Sequence, residues 1–562
     1  MTQPASSFPE ATFVERADEL DQDALLRKTV DNKFFLGIRQ RLQSQGAKLL
    51  VGPRGTGKTH QMRYVYQECV KDSNRPAAIF TSFSRYVRLE PLLKSSRSAS
   101  VVFQAWVIAK IALGGVALLR DISQENDLIE LGFFSCFGLS QADAGRFVAL
   151  IESRGGKDVQ SPDGLTIGAL HDWFDLLLHN SERSRLILLL DDAALSMTPE
   201  YLVEFFNIFQ DLKSPTVSPK ASVYPGTSQY GPRLHLRHDV QPINAWLSID
   251  DAAYDETMSK LIEAWSPDTS QFADGIVDLF KYASFGVPRV LMSLIRAYAE
   301  GTWGTPQQGV NAVIEQQVDL MQAEYASLAQ KVPQFGTVIG AGDTFFNTLA
   351  DHVAEANRQY EESRQLIVGI AAKDIHTLEA RMLRFLVEVG FLYPMTSVKH
   401  GEDRAYLRFM PHLAPLIHRR AFQHSSGFSA RKQVSFLRSE HKRQPLRFSI
   451  GKLLPNVKLH LDLSKCARCG TARLSETQRF CHNCGAELIN QSAYEACMAL
   501  SIDVLPITER QKEALRQQFS TIGDIIAAQD PASELRSFGL IGQKRAATIA
   551  ERAQKYVDEY FS

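Results

Sequence analysis

From residue 47 onward, short apolar runs alternate with longer stretches in which apolar positions recur every three or four residues. The runs lie at 47–51, 77–83, 186–190, 221–224 and 245–249. Runs of this length between helical stretches predict buried strands in a mostly parallel sheet covered by helices. Ahead of them, residues 1–45 read as a polar lead-in followed by one helix over 24–42. Residues 252–330 carry no strand-like run and read as all-helical.

A second pattern begins near Lys373. Leu378, Met382, Leu383, Leu386 and Val389 fall at helical spacing and stop at Gly390. Two short apolar runs follow, 391–395 and 405–410, separated by a polar segment that contains Gly401. A helix followed by a hairpin with a polar tip is the layout of a winged helix. The span 418–447 then carries Arg419, Arg420, Arg431, Lys432, Arg438, Lys442, Arg443 and Arg447 against Glu440 alone. It reads as a linker or basic arm. The expected units are a core over 1–251, a helical lid over 252–330, a winged-helix-like domain over 331–420 and a basic linker over 421–460. A cysteine-rich unit over 461–490 and a small helical domain over 500–562 complete the chain.

Length agrees with several units, since 562 residues at roughly 150 per domain gives three or four. Net charge is −1, so any nucleic-acid surface must be local. The polar, acidic first twenty residues lack the basic and apolar regions of a signal peptide. The apolar stretch 101–119 approaches bilayer length, but Gln104 and Lys110 interrupt it and Gly114-Gly115 weakens it, so a buried helix and no membrane association are expected. Of seven cysteines, four form two CxxC pairs, and Cys69, Cys136 and Cys497 are scattered. That usage suggests a reduced, cytoplasmic setting rather than a disulfide framework.

The most specific motif is Gly52-Pro53-Arg54-Gly55-Thr56-Gly57-Lys58-Thr59, a full GxxxxGK[ST] between an apolar run and a helical pattern. Its glycines let the backbone turn so that N–H groups face phosphates, and the helix that follows adds its positive end. Lys58 is expected on the β- and γ-phosphates of ATP, and the Thr59 hydroxyl on Mg²⁺. The run 186–190 ends in Asp191-Asp192. A continuous apolar run suits a strand buried on both faces, and Asp191 at its end would hold Mg²⁺ directly or through water. Asp192 would orient the attacking water. Thr227 or Ser228, beyond the next strand, offers a hydroxyl to the γ-phosphate or the water. In Gly286-Val287-Pro288-Arg289, Pro288 opens a helix and Arg289 reaches the γ-phosphate from its first turn.

With these motifs in this order, residues 15–300 resemble an AAA+ ATPase, and the following winged-helix pattern is similar to the origin-recognition and initiator clade. The resemblance implies an α/β fold, a P-loop AAA+ parallel sheet with a helical lid, followed by a winged-helix domain; the C-terminal motifs described next add zinc-ribbon and small all-α helix-hairpin-helix-like domains. It maps Lys58 and Thr59 to Walker A, Asp191 to Walker B, Thr227 (or Ser228) to sensor 1 and Arg289 to sensor 2. An arginine finger acting in trans is also implied, for which Arg233 and Arg237 are the candidates. One departure is that most AAA+ proteins end Walker B in Asp-Glu, whereas this chain has Asp191-Asp192. The signalling STAND ATPases, also similar here, often show two acids.

Cys466 and Cys469, eleven further residues, then Cys481 and Cys484 make a strong metal signature. Each pair places two thiolates on one knuckle, and four thiolates form a closed structural Zn²⁺ site resembling a zinc ribbon. Nucleic-acid contact and a structural or protein-docking role both stay open for it. The tail looks like a helix-hairpin-helix domain, in which N–H groups at the start of the second helix take a DNA phosphate. Gly542, Lys544 and Arg545 would do so here, although Leu540 stands where that hairpin has its first glycine.

The leading expectation is therefore a slow ATPase that binds ATP, Mg²⁺ and Zn²⁺ and grips double-stranded DNA under ATP control, with oligomerisation open. Arg431, Lys432, Lys442 and Arg443 would contribute phosphate contacts from the basic arm. The rival is a STAND-like signalling switch whose C-terminal modules bind an effector protein. A helicase or other motor is weaker because no separate motor motifs occur.

Overall fold

The computed structural model describes Ala17 and residues 20–561, except 93–98, 123, 155–158, 194–198, 227–229, 231–232, 236–237, 266–267, 400–404, 425–426, 476–477, 479, 487, 489–492, 517–518, 529–532 and 534–541. A five-stranded, all-parallel sheet lies at the centre. Its strands are β1 (Lys48–Val51), β2 (Ala77–Ser82), β3 (Leu186–Asp191), β4 (Val217–Val223) and β5 (Gln241–Asn244), in the order β2-β3-β4-β1-β5. This is the expected α/β class, with helices on both faces of the sheet. The β1 and β3 strands, which carry the P-loop and the paired acids, are separated by β4. All six residues of β3 are buried, which accounts for its unbroken apolar run.

Two strand expectations shift. The β4 strand starts four residues earlier than the run 221–224, because Pro219 sits inside it opposite Leu188 and disguises a central strand. The run 245–249 is not a strand. Ala245, Trp246, Leu247 and Ile249 are buried against the helical lid, and Trp246 Nε1 donates to Phe285 O at 2.8 Å. The true edge strand lies just before it, at β5.

The helix expected over 24–42 is two helices, Gln22–Arg27 and Lys33–Gln43. Asn32 caps the second, accepting from Phe35 N at 2.9 Å. Buried Arg39 pins the break by donating to Val30 O at 2.6 Å and pairing with Asp31 at 2.5 Å.

The apolar stretch 101–119 lies in the helix Ala99–Asp121, which is long and apolar enough to cross a membrane. It is packed inside the fold instead. A Cβ on Gly114 would strike Ile79 and Thr81 of β2, and Trp173 Nε1 donates to Ala112 O at 3.2 Å. Its two glycines are therefore close-packing positions.

The lid comprises helices Tyr254–Trp265, Ile276–Ala283, Pro288–Glu300 and Pro306–Lys331. A second sheet follows, built from β6 (Val368–Ala371), β7 (Leu392–Lys399), β8 (Ala405–Pro411) and β9 (Leu446–Phe448), in the order β7-β8-β6-β9. The helix Thr377–Glu388 precedes the antiparallel β7–β8 hairpin. The span 421–460 is not a linker. It forms the helix Ala430–Arg438 and the strand β9, which pairs with β6. Its apolar residues Val434, Phe436 and Leu437 are buried, and tertiary packing outweighs the charge that made it read as an arm.

The C-terminal helix Gln543–Phe561 lies against the segment after β2. Asp558 pairs with buried Arg88 at 2.8 Å, and Glu90 accepts from Tyr494 N at 3.1 Å.

Candidate functional site

Three loops at the carboxyl ends of parallel strands open one cleft, which the lid closes from above. The cleft has a volume of about 200 Å³ and is lined by the P-loop, both acids, Tyr224 and the lid residues Trp265, Pro288 and Arg289. A crevice outside the carboxyl ends of the strands is where open α/β sheets bind ligands.

Residues 52–57 turn from β1 into the helix Lys58–Lys71. Gly55 and Gly57 have φ of 85° and 84°, which glycine adopts without strain. A Cβ on Gly55 would lie 2.8 Å from Arg289 Cβ, and Arg289 N donates to Gly55 O at 3.2 Å. The P-loop and the first turn of the lid helix Pro288–Glu300 therefore touch through backbone. Pro288 stands at the start of that helix, as expected.

Lys58 is buried. Its Nζ donates to Gly52 O at 2.7 Å and Pro53 O at 3.0 Å, and lies 4.6 Å from the centre of the Tyr224 ring. Burial lowers its pKa to about 8, opposed by the nearby charges of Asp192 and Asp191 and reinforced by Arg289 and Arg54. Arg54 and Thr59 also line the cleft. Thr56 instead turns its hydroxyl inward to Pro53 O at 2.9 Å and braces the loop.

Asp191 ends β3 and Asp192 follows it into the cleft, and both are tied to Ser222 of β4. The Ser222 hydroxyl donates to Asp191 Oδ1 at 2.7 Å, and its oxygen accepts from Asp192 N at 2.9 Å. Asp192 takes φ of 52°, a left-handed conformation that aspartate tolerates better than most residues. The cleft thus gathers Lys58, Thr59, Asp191, Asp192 and Arg289, five of the positions singled out from sequence.

Other expected residues lie elsewhere. Thr227, Ser228 and Arg237 fall outside the described residues. Arg233 is described, exposed and paired with Asp211 at 2.7 Å. Sequence reasoning missed Ser222, Tyr224, His60, Trp265 and the segment Lys28–Val30. The break between the first two helices brings Lys28 and Val30 to the cleft, and Asn32 as a helix cap was the available signal. Nothing local in the sequence marks Ser222 or Trp265, whose roles depend on strand order and lid closure.

The helix Thr377–Glu388 and the start of the β7–β8 hairpin lie against loops that border this cleft. A Cβ on Gly226, just after β4, would meet Arg384 O at 2.9 Å, and Gly390 lies beside Pro53. Tyr393 Oη accepts from Asn244 Nδ2 at 3.1 Å and donates to Trp246 O at 3.4 Å.

The four cysteines Cys466, Cys469, Cys481 and Cys484 bring their sulfurs within 4.8 Å of one another. The pairs Cys466–Cys484 and Cys469–Cys481 stand at 3.6 and 3.5 Å, far beyond a disulfide. Tetrahedral Zn²⁺ with bonds of about 2.3 Å sets sulfurs roughly 3.8 Å apart, so the cluster fits that ion. The two knuckles are alike. Gly470 N donates to Cys466 O at 2.8 Å and Gly485 N to Cys481 O at 2.9 Å, with both glycines at positive φ.

The basic residues of the former arm are largely engaged within the fold. Arg431 pairs with Asp274 at 3.3 Å, Lys442 with Asp250 at 3.1 Å, and Arg443 stacks on Tyr360 at 3.4 Å. Lys432 is exposed. Gly542, Lys544 and Arg545 are exposed around the start of the C-terminal helix. The expected hairpin before it, including Leu540, falls outside the described residues.

No protein-family model matches the chain, and no curated protein matches it. Among solved structures it is similar to the Orc1 protein of Aeropyrum pernix in complex with DNA, at 12% sequence identity and a TM-score of 0.27. The match covers 71% of this chain and 91% of that one. At that TM-score the likeness adds nothing to the strand order and cleft already described.

Proposed function

We propose that this chain is an ATP-binding and ATP-hydrolysing switch of the AAA+ type that engages double-stranded DNA under nucleotide control. The observation that carries the reading is the convergence of Lys58, Asp191, Asp192 and Arg289 in one cleft whose P-loop is bonded to the lid. The P-loop N–H groups and Lys58 hold the β- and γ-phosphates. Thr59 and Asp191 would hold Mg²⁺, which would supply charge neutralisation on the phosphates. Asp192 orients the attacking water, and Arg289 stabilises charge on the γ-phosphate while reporting it to the lid. Lys58 gives two of its three donors to the loop's own carbonyls, Gly52 O and Pro53 O, and phosphate would compete with them.

The nucleotide-to-DNA coupling is supported by the contacts of Pro53 with Gly390 and of Gly226 with the Arg384 backbone. A shift of the P-loop or of the loop after β4 would press on the helix Thr377–Glu388 and the β7–β8 hairpin. Cys466, Cys469, Cys481 and Cys484 would hold Zn²⁺, which would brace the C-terminal modules structurally.

The signalling-switch reading keeps one specific support, that the basic span 418–447 is folded and ion-paired rather than free. Measuring duplex DNA binding by the full chain with ATP, with ADP and without nucleotide, across a salt series, tests the choice. ATP-dependent binding with a steep salt slope supports the DNA switch. Absence of DNA binding in every state, with ATP still bound, transfers the function to protein partners. Loss of ATP binding in Lys58→Ala, with an unchanged melting temperature, tests the nucleotide site itself.

A further inference from the structure

A second cavity, of about 420 Å³, runs along the helix Ala430–Arg438. That helix lines it through Lys432, Gln433 and Phe436, with the cap Ser429 at its start and Ser439 just past its end. Phe422, His424, Glu361 and Glu362 also line it. A cavity of this size suits a small organic ligand.

The two ends carry opposite charge. Ser439 Oγ donates to Glu362 O at 3.5 Å, which sets Glu361 and Glu362 beside the C-terminal end of the helix. Lys432 stands in its first turn. From Lys432 to Ser439 a helix rises about 10 Å. The helix dipole has the same polarity, favouring an anion near Lys432 and a cation near the glutamates. All three charged side chains are exposed, and none forms an ion pair among the described residues.

The middle is apolar with one amide. Phe422 and Phe436 are buried with ring centres 5.8 Å apart, and the His424 ring lies 4.8 Å from that of Phe436. His424 Nε2 donates to Asn357 O at 2.8 Å, which fixes the ring. Gln433 is only 5% exposed and lines the cavity, yet its side-chain amide makes no hydrogen bond among the described residues. Its polar atoms are not sealed in, so a group in the cavity can reach them. A buried amide without a partner is costly, and here it marks a place for a ligand that both gives and takes hydrogen bonds.

We propose that this cavity binds a basic amino acid: its cationic side chain meets Glu361 and Glu362, its methylenes lie on Phe422 and Phe436, and its head group meets Gln433 and Lys432. The inference is independent of the nucleotide reading. A guanidinium pairs with carboxylates through a planar fork of N–H donors. Gln433 Oε1 accepts from the α-ammonium, and its Nε2 donates to the α-carboxylate, whose charge Lys432 balances. A ligand lacking either charged end leaves one end of the cavity unmatched.

The test is calorimetric titration of the full chain with three probes: L-arginine, agmatine, which lacks the carboxylate, and L-citrulline, whose side chain is neutral. L-arginine should bind at one site with a dissociation constant below about 1 mM, and the other two at least about tenfold more weakly. Gln433→Leu should weaken L-arginine by about tenfold or more without lowering the melting temperature, because the amide has no hydrogen bond in the protein to lose. Joint Glu361→Gln and Glu362→Gln substitution should reduce L-arginine to the affinity of L-citrulline, and Lys432→Ala should reduce it to that of agmatine. No saturable binding of L-arginine up to about 10 mM, equal affinity for the three probes, or an unchanged L-arginine affinity in Gln433→Leu overturns the assignment. If Gln433→Leu does not fold, the double glutamate variant, whose changes lie on the surface, carries the test, and an unchanged L-arginine affinity there overturns it.

Discussion

Ser222 Oγ donates a 2.7 Å hydrogen bond to Asp191 Oδ1, so a residue of β4 fixes a carboxylate at the end of β3. The same oxygen accepts from Asp192 N, which orients the second acid through its backbone. Ser222→Ala should slow ATP turnover by about 10- to 100-fold, since misplacement by about 1 Å can cost that much. Nucleotide affinity should change by less than about threefold, and stability should fall by about 1–2 kcal/mol for the unpaired buried groups. Steady-state turnover and thermal melting of the variant check both; an unchanged turnover number would remove Ser222 from the catalytic geometry.

Asp192 carries a side chain one methylene shorter than glutamate, and its carboxylate stands roughly 1.5 Å further from a water at the γ-phosphate. Asp192→Glu should raise turnover several-fold at unchanged nucleotide affinity. Loss of all activity in this variant would show that Asp192 does not face the water.

Lys58 has a pKa near 8 in the folded chain against the ordinary 10.5. Between those values the unfolded chain keeps a proton that the folded chain has released, so Lys58 makes folding more favourable as pH rises through the window. Nucleotide binding has the opposite sign, because phosphates require the charged amine. ATP affinity should be flat below about pH 8 and fall by up to about tenfold per pH unit above it. Titration calorimetry at several pH values checks this, and proton uptake above pH 8 should accompany binding.

The cysteine cluster should bind one Zn²⁺ per chain, read by metal analysis. Cys466→Ser or a strong chelator should release it and unfold the knuckles, because structural zinc sites contribute folding free energy directly. The nucleotide cleft shares no residue with the cluster, so ATP affinity should stay within about twofold. A zinc-free protein with the same melting curve as the loaded one would show that the cluster is no metal site.

Within the basic span, exposure separates two kinds of cation. Lys442 pairs with Asp250, which also takes Arg364 at 2.5 Å, so Lys442→Ala should cost at most about 1 kcal/mol and leave DNA binding unchanged. Arg431 and Lys432 face solvent. Replacing both with alanine should flatten the salt slope of DNA binding by up to about 2 units, at about 0.9 per phosphate contact. An unaltered slope in the double variant would assign the span a packing role only.

Local signals were enough for much of this protein. A P-loop is a continuous turn between a strand and a helix, so Gly52 to Thr59 declare it by themselves. The same holds for the β3 run ending in Asp191 and Asp192, for the β7–β8 hairpin and for the two CxxC knuckles, whose chemistry lies within a few residues of one another. Tertiary structure decided what depends on distant partners. Pro219 hid a central strand because only strand order shows which N–H it forgoes. The run 245–249 became lid core because its neighbour was Phe285 and not another strand. Ser222 acquired its place in the site from a hydrogen bond to Asp191, about thirty residues away. The basic span folded because its apolar side packs on the lid and the second sheet, and its charges found Asp250, Asp255, Asp274 and Asp278. Charge and periodicity read along a chain cannot name such partners, since attraction and burial act across space and the chain decides them only once folded.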